Sequence, residues 1–173
     1  MSPKHGNEAI SRITHPLRLA AALLVALSLS ACQSVLDIGG NQTGAAVIQA
    51  ASGKEALTKI RSSHGLPLLS SDSKLERAAL QQATYMARSG DMDHTTRRGR
   101  DFASRVKDNG IDVAAAENIA HGRFTPGELF TAWMNSSGHR KNMLDPRFSK
   151  FGLASVEEAN GSGRRFWALV LSE

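Results

Sequence analysis

Two stretches near the end of the chain decide the fold class: Phe151-Gly152-Leu153-Ala154-Ser155-Val156 and Phe166-Trp167-Ala168-Leu169-Val170-Leu171, with Gly161-Ser162-Gly163 between them. Each run is short and apolar, and glycines punctuate the gap, so the pair reads as an antiparallel hairpin with a loose loop. Glu117 to His121 is a third, shorter strand. Everything else with a pattern is helical. Thr125-Pro126-Gly127-Glu128 sets Thr as N-cap, Pro at N1 and Glu at N3, and the helix it starts shows Leu129, Phe130, Trp133 and Met134 on its apolar face. Trp133 is expected to pack inside. Residues 101–109 form a short helix with Phe102 and Val106 at i,i+4 and Gly110 at its end. A longer helix starts near Ser73, where Ser73 and Glu76 match a capping box, lines up Leu75, Ala79, Gln82 and Met86, and closes at Gly90. The first helix covers about 45–63, with Ala46, Ile48, Ala56, Leu57 and Ile60 as its apolar residues, and Gly65-Leu66-Pro67 ends it. Helices gathered ahead of a terminal hairpin imply an α+β layer fold, with helices packed on a small antiparallel sheet.

The length, 173 residues, argues for one domain behind a leader. Lys4, Arg12 and Arg18 form a basic flank, and Leu19 to Leu29 is a run of Leu, Ala and Val with one Ser. As a helix that run spans about 16 Å, against a bilayer core of about 30 Å, so it reads as a secretory signal over 1–31 and not as a membrane span. The next residues, Leu29-Ser30-Ala31-Cys32, resemble the cleavage box of bacterial lipoproteins. That resemblance implies acylation of Cys32 and a membrane partner reached through that lipid. Gln33 follows; in Gram-negative lipoproteins the lack of Asp there directs the protein to the outer membrane. Cys32 is the only cysteine, so no intrachain disulfide forms and the domain is held by its core. A Gly-rich polar stretch makes residues 32–49 a flexible tether, and 50–173 the domain. The formal charge of +5 is partly the leader's, and no aromatic residues interleave with the arginines, so nucleic acid is not an expected partner. Arg97-Arg98-Gly99-Arg100 and Arg164-Arg165 read as solvated loops.

Beyond the leader the chain has His64, His94, His121 and His139. His64 and His121 precede glycines and read as exposed turn residues. His94 follows Asp91-Met92-Asp93, and His139 lies in Asn135-Ser136-Ser137-Gly138-His139-Arg140-Lys141-Asn142. Their separation excludes a metal motif local to one helix.

Ala116-Glu117-Asn118-Ile119-Ala120, the segment from Ala132-Trp133 to Met143-Leu144, and Phe151-Gly152-Leu153-Ala154 resemble the bacterial branch of the CAP superfamily. That superfamily holds the cysteine-rich secretory proteins, antigen 5 and the plant pathogenesis-related 1 proteins, and its domain is also called SCP. Leu66-Pro67-Leu68-Leu69 and Asp93-His94-Thr95 fall in the family's order. The resemblance implies a three-layer α-β-α sandwich and a central cleft where His94, Glu117 and His139 converge. The family's second acidic position follows the Trp; here Ser136 stands near it, and Ala116 replaces a common Gly. Two imidazoles and a carboxylate are the ligand set of a catalytic zinc ion, with His94 and His139 as candidate ligands and Glu117 as the catalytic candidate. Without a metal the same trio is a hydrogen-bonded cluster in which Glu117 orients an imidazole. Two functions follow: a non-catalytic module binding a lipid, an envelope component or a protein partner, or a metal-assisted hydrolase. The missing carboxylate favours the first. Asn118 and Asn142 are expected to satisfy backbone groups around the cleft.

Overall fold

The computed structural model describes residues 44–173; the leader, Cys32 and the first part of the tether lie outside them. In chain order the elements are β1 (Ala46–Ile48), α1 (Ala50–Ser63), β2 (Ser70–Ser71), α2 (Ser73–Ser89), α3 (Phe102–Asp108), β3 (Ala115–Gly122), α4 (Pro126–Asn135), α5 (Ser137–Met143), β4 (Lys150–Glu157) and β5 (Arg165–Ser172). The predicted hairpin is β4 and β5, antiparallel with Phe151 opposite Leu171 and Val156 opposite Phe166. The strands lie in the order β1-β4-β5-β3, and β2 adds a short parallel pairing to β4.

Period-two alternation assigns the two sheet faces to two helical layers. Val156, Phe166, Ala168 and Val170 pack with Leu75, Ala79, Ala83 and Met86 of α2, and with Phe102 and Val106 of α3. Phe151, Leu153, Trp167, Leu169 and Leu171 face the other way, onto Leu57 of α1, Leu129, Phe130 and Trp133 of α4, and Met143 of α5. The result is the expected three-layer α-β-α sandwich. Trp133 is buried, as its place in the helical stripe predicts. Gly152 has a packing reason: a Cβ there would collide with the Leu75 carbonyl and the Glu76 nitrogen where α2 crosses β4.

The observed elements differ from the sequence reading in several places, β2 and α5 among them, which it did not contain. Residues 46–48, read as helix start and included in the tether, are strand β1, paired with Ala154–Val156. Gly44 also donates to Glu157 O, so the domain begins before residue 50. Pairing with a hydrophobic neighbour outweighs local propensity in so short a segment. The N-cap of α2 is Asp72, whose carboxylate accepts from Lys74 N and Leu75 N, with Ser73 one residue inside. The capping box of α4 is as expected, with Thr125 and Glu128 bonded reciprocally.

The outer edge of β3 is covered by side chains. Trp133 Nε1 donates to Ile119 O at 3.1 Å and Asn142 Nδ2 to Glu117 O at 3.3 Å. These bonds satisfy edge carbonyls that would otherwise be open to another strand, and they seat α4 and α5 beside the strand that carries Glu117.

Candidate functional site

The candidate site draws on three segments. The first is the loop after α2. Gly90, at φ 78, ends that helix, and the chain turns back through residues 91–100. Gln82 is fully buried and donates to Asp93 O at 2.6 Å, while Thr95 N donates to Asp93 Oδ1 at 2.8 Å. His94 is therefore placed by a fixed turn, with a side chain 51% exposed.

The second segment is β3. Glu117 and Ile119 face the α2–α3 side, and Asn118 faces the other. Buried Asn118 donates to His139 O at 3.1 Å and accepts from Asn142 Nδ2 at 2.9 Å. This network joins β3 to the third segment, α5, and does what was expected of the two asparagines. The His139 ring lies beside Trp133, with centroids 6.3 Å apart. Burial pushes the His139 pKa below its ordinary value, and the nearby His94 adds to the depression.

His94 and Glu117 meet directly: Nδ1 lies 2.8 Å from Oε1. A second partner, which sequence reading missed, dominates the carboxylate. Arg105 of α3 is 1% exposed, and its Nη2 donates to both Glu117 oxygens at 2.6 and 2.7 Å. Its Nη1 donates to His94 O at 3.0 Å and Arg100 O at 2.6 Å. Glu117 thus lies between a guanidinium and an imidazole, with both oxygens engaged. The signal was present in sequence. Arg105 is three residues from Phe102 and next to Val106, on the stripe that α3 turns to the core, where a charge is rare unless paired.

This arrangement fits a zinc ion only in part. Glu117 is already held by Arg105, so it is not a free third ligand. His94 has Nε2 left over, and His139 has an imidazole that stays neutral near pH 7. Two imidazoles with a carboxylate behind one of them are a familiar outer-shell pattern. Among the described residues, no group of three or more His, Cys, Asp or Glu side chains is gathered to hold a metal ion. Ser136, expected near the family's second acidic position, caps α5 without a side-chain hydrogen bond.

The other histidines lie apart. His64 ends α1, exposed, with Nδ1 2.8 Å from Ile60 O. His121, read as exposed, lies in β3, within the strand expected from Glu117 to His121, and is half-buried. It stacks on its cross-strand neighbour Phe166 at 4.0 Å, since the two face each other across the antiparallel pair. Its Nε2 lies 2.7 Å from Glu158 Oε1, at ion-pair distance but without hydrogen-bond alignment. Arg165, read as solvated, is also half-buried, donating to Ser155 Oγ, Glu157 and Ala45 O. Arg97 and Arg98 are exposed as expected, and Arg100 lies over the Tyr85 ring at 4.4 Å.

Known proteins share this architecture. The chain is 38% identical over 101 residues to the YkwD protein of Bacillus subtilis, a match that covers 58% of this chain and 39% of that one. It is 28% identical over 110 residues to the B. subtilis membrane protein YlbC, covering 61% and 32%. The matches thus span well under half of either relative. Among solved structures, an extracellular SCP-domain protein of Bacillus anthracis superposes with a TM-score of 0.59 at 25% identity, covering 68% of this chain and 37% of that one. An outer surface protein of Borrelia burgdorferi superposes at 0.64 with 19% identity, covering 75% and 98%, a likeness of fold. The CAP family model, described as the cysteine-rich secretory protein family, matches residues 54–171. The chain therefore belongs to the CAP family.

Proposed function

We propose that this chain is an exported CAP-domain protein, held at the outer membrane by a lipid on Cys32, whose cleft at His94, Glu117 and His139 binds a ligand without hydrolysing it. The observation that carries the binding reading is Arg105. A hydrolase of the type the trio suggests would need Glu117 as a metal ligand or as a base that receives a proton. Here both carboxylate oxygens already accept from one buried guanidinium. What remains open to a ligand is the exposed ring of His94 and the neutral ring of His139. The ligand class is a lipid, an envelope component or a protein partner. If zinc enters, His94 and His139 would hold it and Glu117 would orient His94 from behind. The extracytoplasmic placement is supported by the leader and by likeness to the extracellular protein of B. anthracis.

One preparation tests both halves. The full-length protein is expressed in a two-membrane bacterium, and its membranes are fractionated. Wild type is expected in the outer-membrane fraction and Cys32→Ser in the soluble fraction; unchanged partition of Cys32→Ser would contradict the anchor. Material extracted from purified wild type and His94→Ala is then compared by mass spectrometry. A component present with wild type and lost with His94→Ala supports binding. Turnover of an ester or peptide panel that Glu117→Gln abolishes would contradict it.

A further inference from the structure

The loop from His94 to Arg100 is tied at both ends by one side chain. Arg105 Nη1 bonds to the carbonyls of His94 and Arg100, and Nη2 takes both oxygens of Glu117. Four of the five guanidinium N–H bonds are used in this way. The middle of the loop has no such hold: Arg97 and Arg98 are exposed, and Gly99 turns the chain at φ 74. His94 is thus registered to Arg105 twice, directly through its carbonyl and through Glu117 by its ring. A carboxylate offers only lone pairs, so the proton between Glu117 and His94 belongs to Nδ1. That leaves Nε2 with a lone pair, on a ring 51% exposed.

We propose that Arg105 is the positioning residue of this cleft: by holding Glu117 it sets the tautomer of His94, and so presents Nε2 as an acceptor to whatever enters. The proposal deepens the binding reading and rests on it for the ligand, but the tautomer is read with no ligand present. Lysine cannot replace Arg105, because its single nitrogen cannot serve a carboxylate and two carbonyls from two separate points.

Nitrogen NMR of 15N-histidine-labelled full-length protein in detergent, recorded at rising pH until the histidine signals stop moving, makes the test. Wild-type His94 is expected to be protonated on Nδ1, opposite to the usual preference of a free neutral imidazole. Arg105→Lys, still folded by circular dichroism, is expected to move the tautomer ratio toward Nε2–H by about tenfold or more, the weight of one hydrogen bond to a charged group. Glu117→Gln is expected to move it the same way. A folded Arg105→Lys with the wild-type ratio would make Arg105 merely structural and overturn the proposal. If Arg105→Lys does not fold, Arg105→Met/Glu117→Gln removes both charges and carries the test, with Nε2–H expected and Nδ1–H overturning. Wild-type His94 found as Nε2–H overturns it without any variant. Discovery of hydrolysis would sink the binding reading yet leave the tautomer result standing, so the two failures are distinguishable.

Discussion

Arg61 and Arg105 are the buried arginines of the described residues, one in each helical layer, and they are used differently. Arg61 of α1 is fully buried and donates only to backbone: Pro67 O at 2.7 Å, Met143 O at 3.1 Å, Asp145 O at 2.9 Å and Phe148 O at 3.1 Å. It ties the α5–β4 connection to α1. Burial pulls its pKa below the ordinary arginine value, and the Asp145 carboxylate partly offsets that. Arg105 ties a loop in the same manner but also takes a carboxylate, Glu117. A guanidinium bonded to carbonyls alone fixes the chain. A guanidinium that shares its donors with an acid also fixes the half-exposed imidazole bonded to that acid. Breaking the first should cost stability and leave the cleft's chemistry intact; breaking the second should cost both.

Arg61→Met should show the larger loss. Four carbonyls lose their donor, those of Met143 and Phe148 in buried bonds and those of Pro67 and Asp145 in partly buried ones; at about 1–3 kcal/mol for each left unsatisfied, a total of roughly 4 kcal/mol or more is expected in urea unfolding. If the variant still folds, its His94 nitrogen signals should match the wild type. Arg105→Met leaves Glu117 buried opposite no cation, and chemical denaturation should show a loss of about 3–5 kcal/mol. Here the His94 signals should move as well, which sharpens the contrast.

A smaller effect follows pH. The His139 pKa is depressed in the folded state, first by burial and then by His94. The unfolded chain, with an ordinary histidine value near 6.5, therefore takes up its proton first. Stability from the neutral His139 is fully present above that value and is lost as pH falls through the folded-state pKa. The denaturation midpoint should fall between about pH 7.5 and pH 5 more steeply in wild type than in His139→Gln; equal slopes would remove His139 as the cause. The smallest effect belongs to Glu158, which lies beside His121 with both side chains 16% exposed and which accepts from Ser162 Oγ and Asn160 Nδ2. Glu158→Gln keeps an oxygen for those donors and removes the charge, so urea unfolding should show only a small loss, less than for either arginine variant.

Much of the fold could be read from the chain. The β4–β5 hairpin, the α4 capping box and the closure of α2 at Gly90 each carry a local signal, and all three are present. Strands β1 and β2 carry none: three and two residues hold their place only by pairing with β4, and that partner lies about a hundred residues away for β1. For the site, the resemblance pointed to His94, Glu117 and His139; His94 and Glu117 are in direct contact, while His139 lies against Trp133. The buried arginines were not read, although Arg61 is four residues past Leu57 and Arg105 three past Phe102, on core-facing stripes. Sequence shows such a charge in an apolar stripe but not its acceptors, which come from loops distant along the chain. The strand through His121 was legible but its burial was not, for a related reason: the glycine after it suggested an exposed turn, whereas its Phe166 neighbour is set by strand register.

The most direct test of the account is the coupling between Arg105 and Glu117, measured by a double-mutant cycle in urea unfolding with Arg105→Met, Glu117→Gln and the pair. The account holds that these side chains form one buried unit, so the double variant should recover much of the loss of Arg105→Met, with a coupling energy of about 1.5 kcal/mol or more, within the range for residues in one network. Additive losses, with coupling below about 0.5 kcal/mol as for independent sites, would mean that Glu117 is not committed to Arg105 and would return it to the cleft as a free carboxylate.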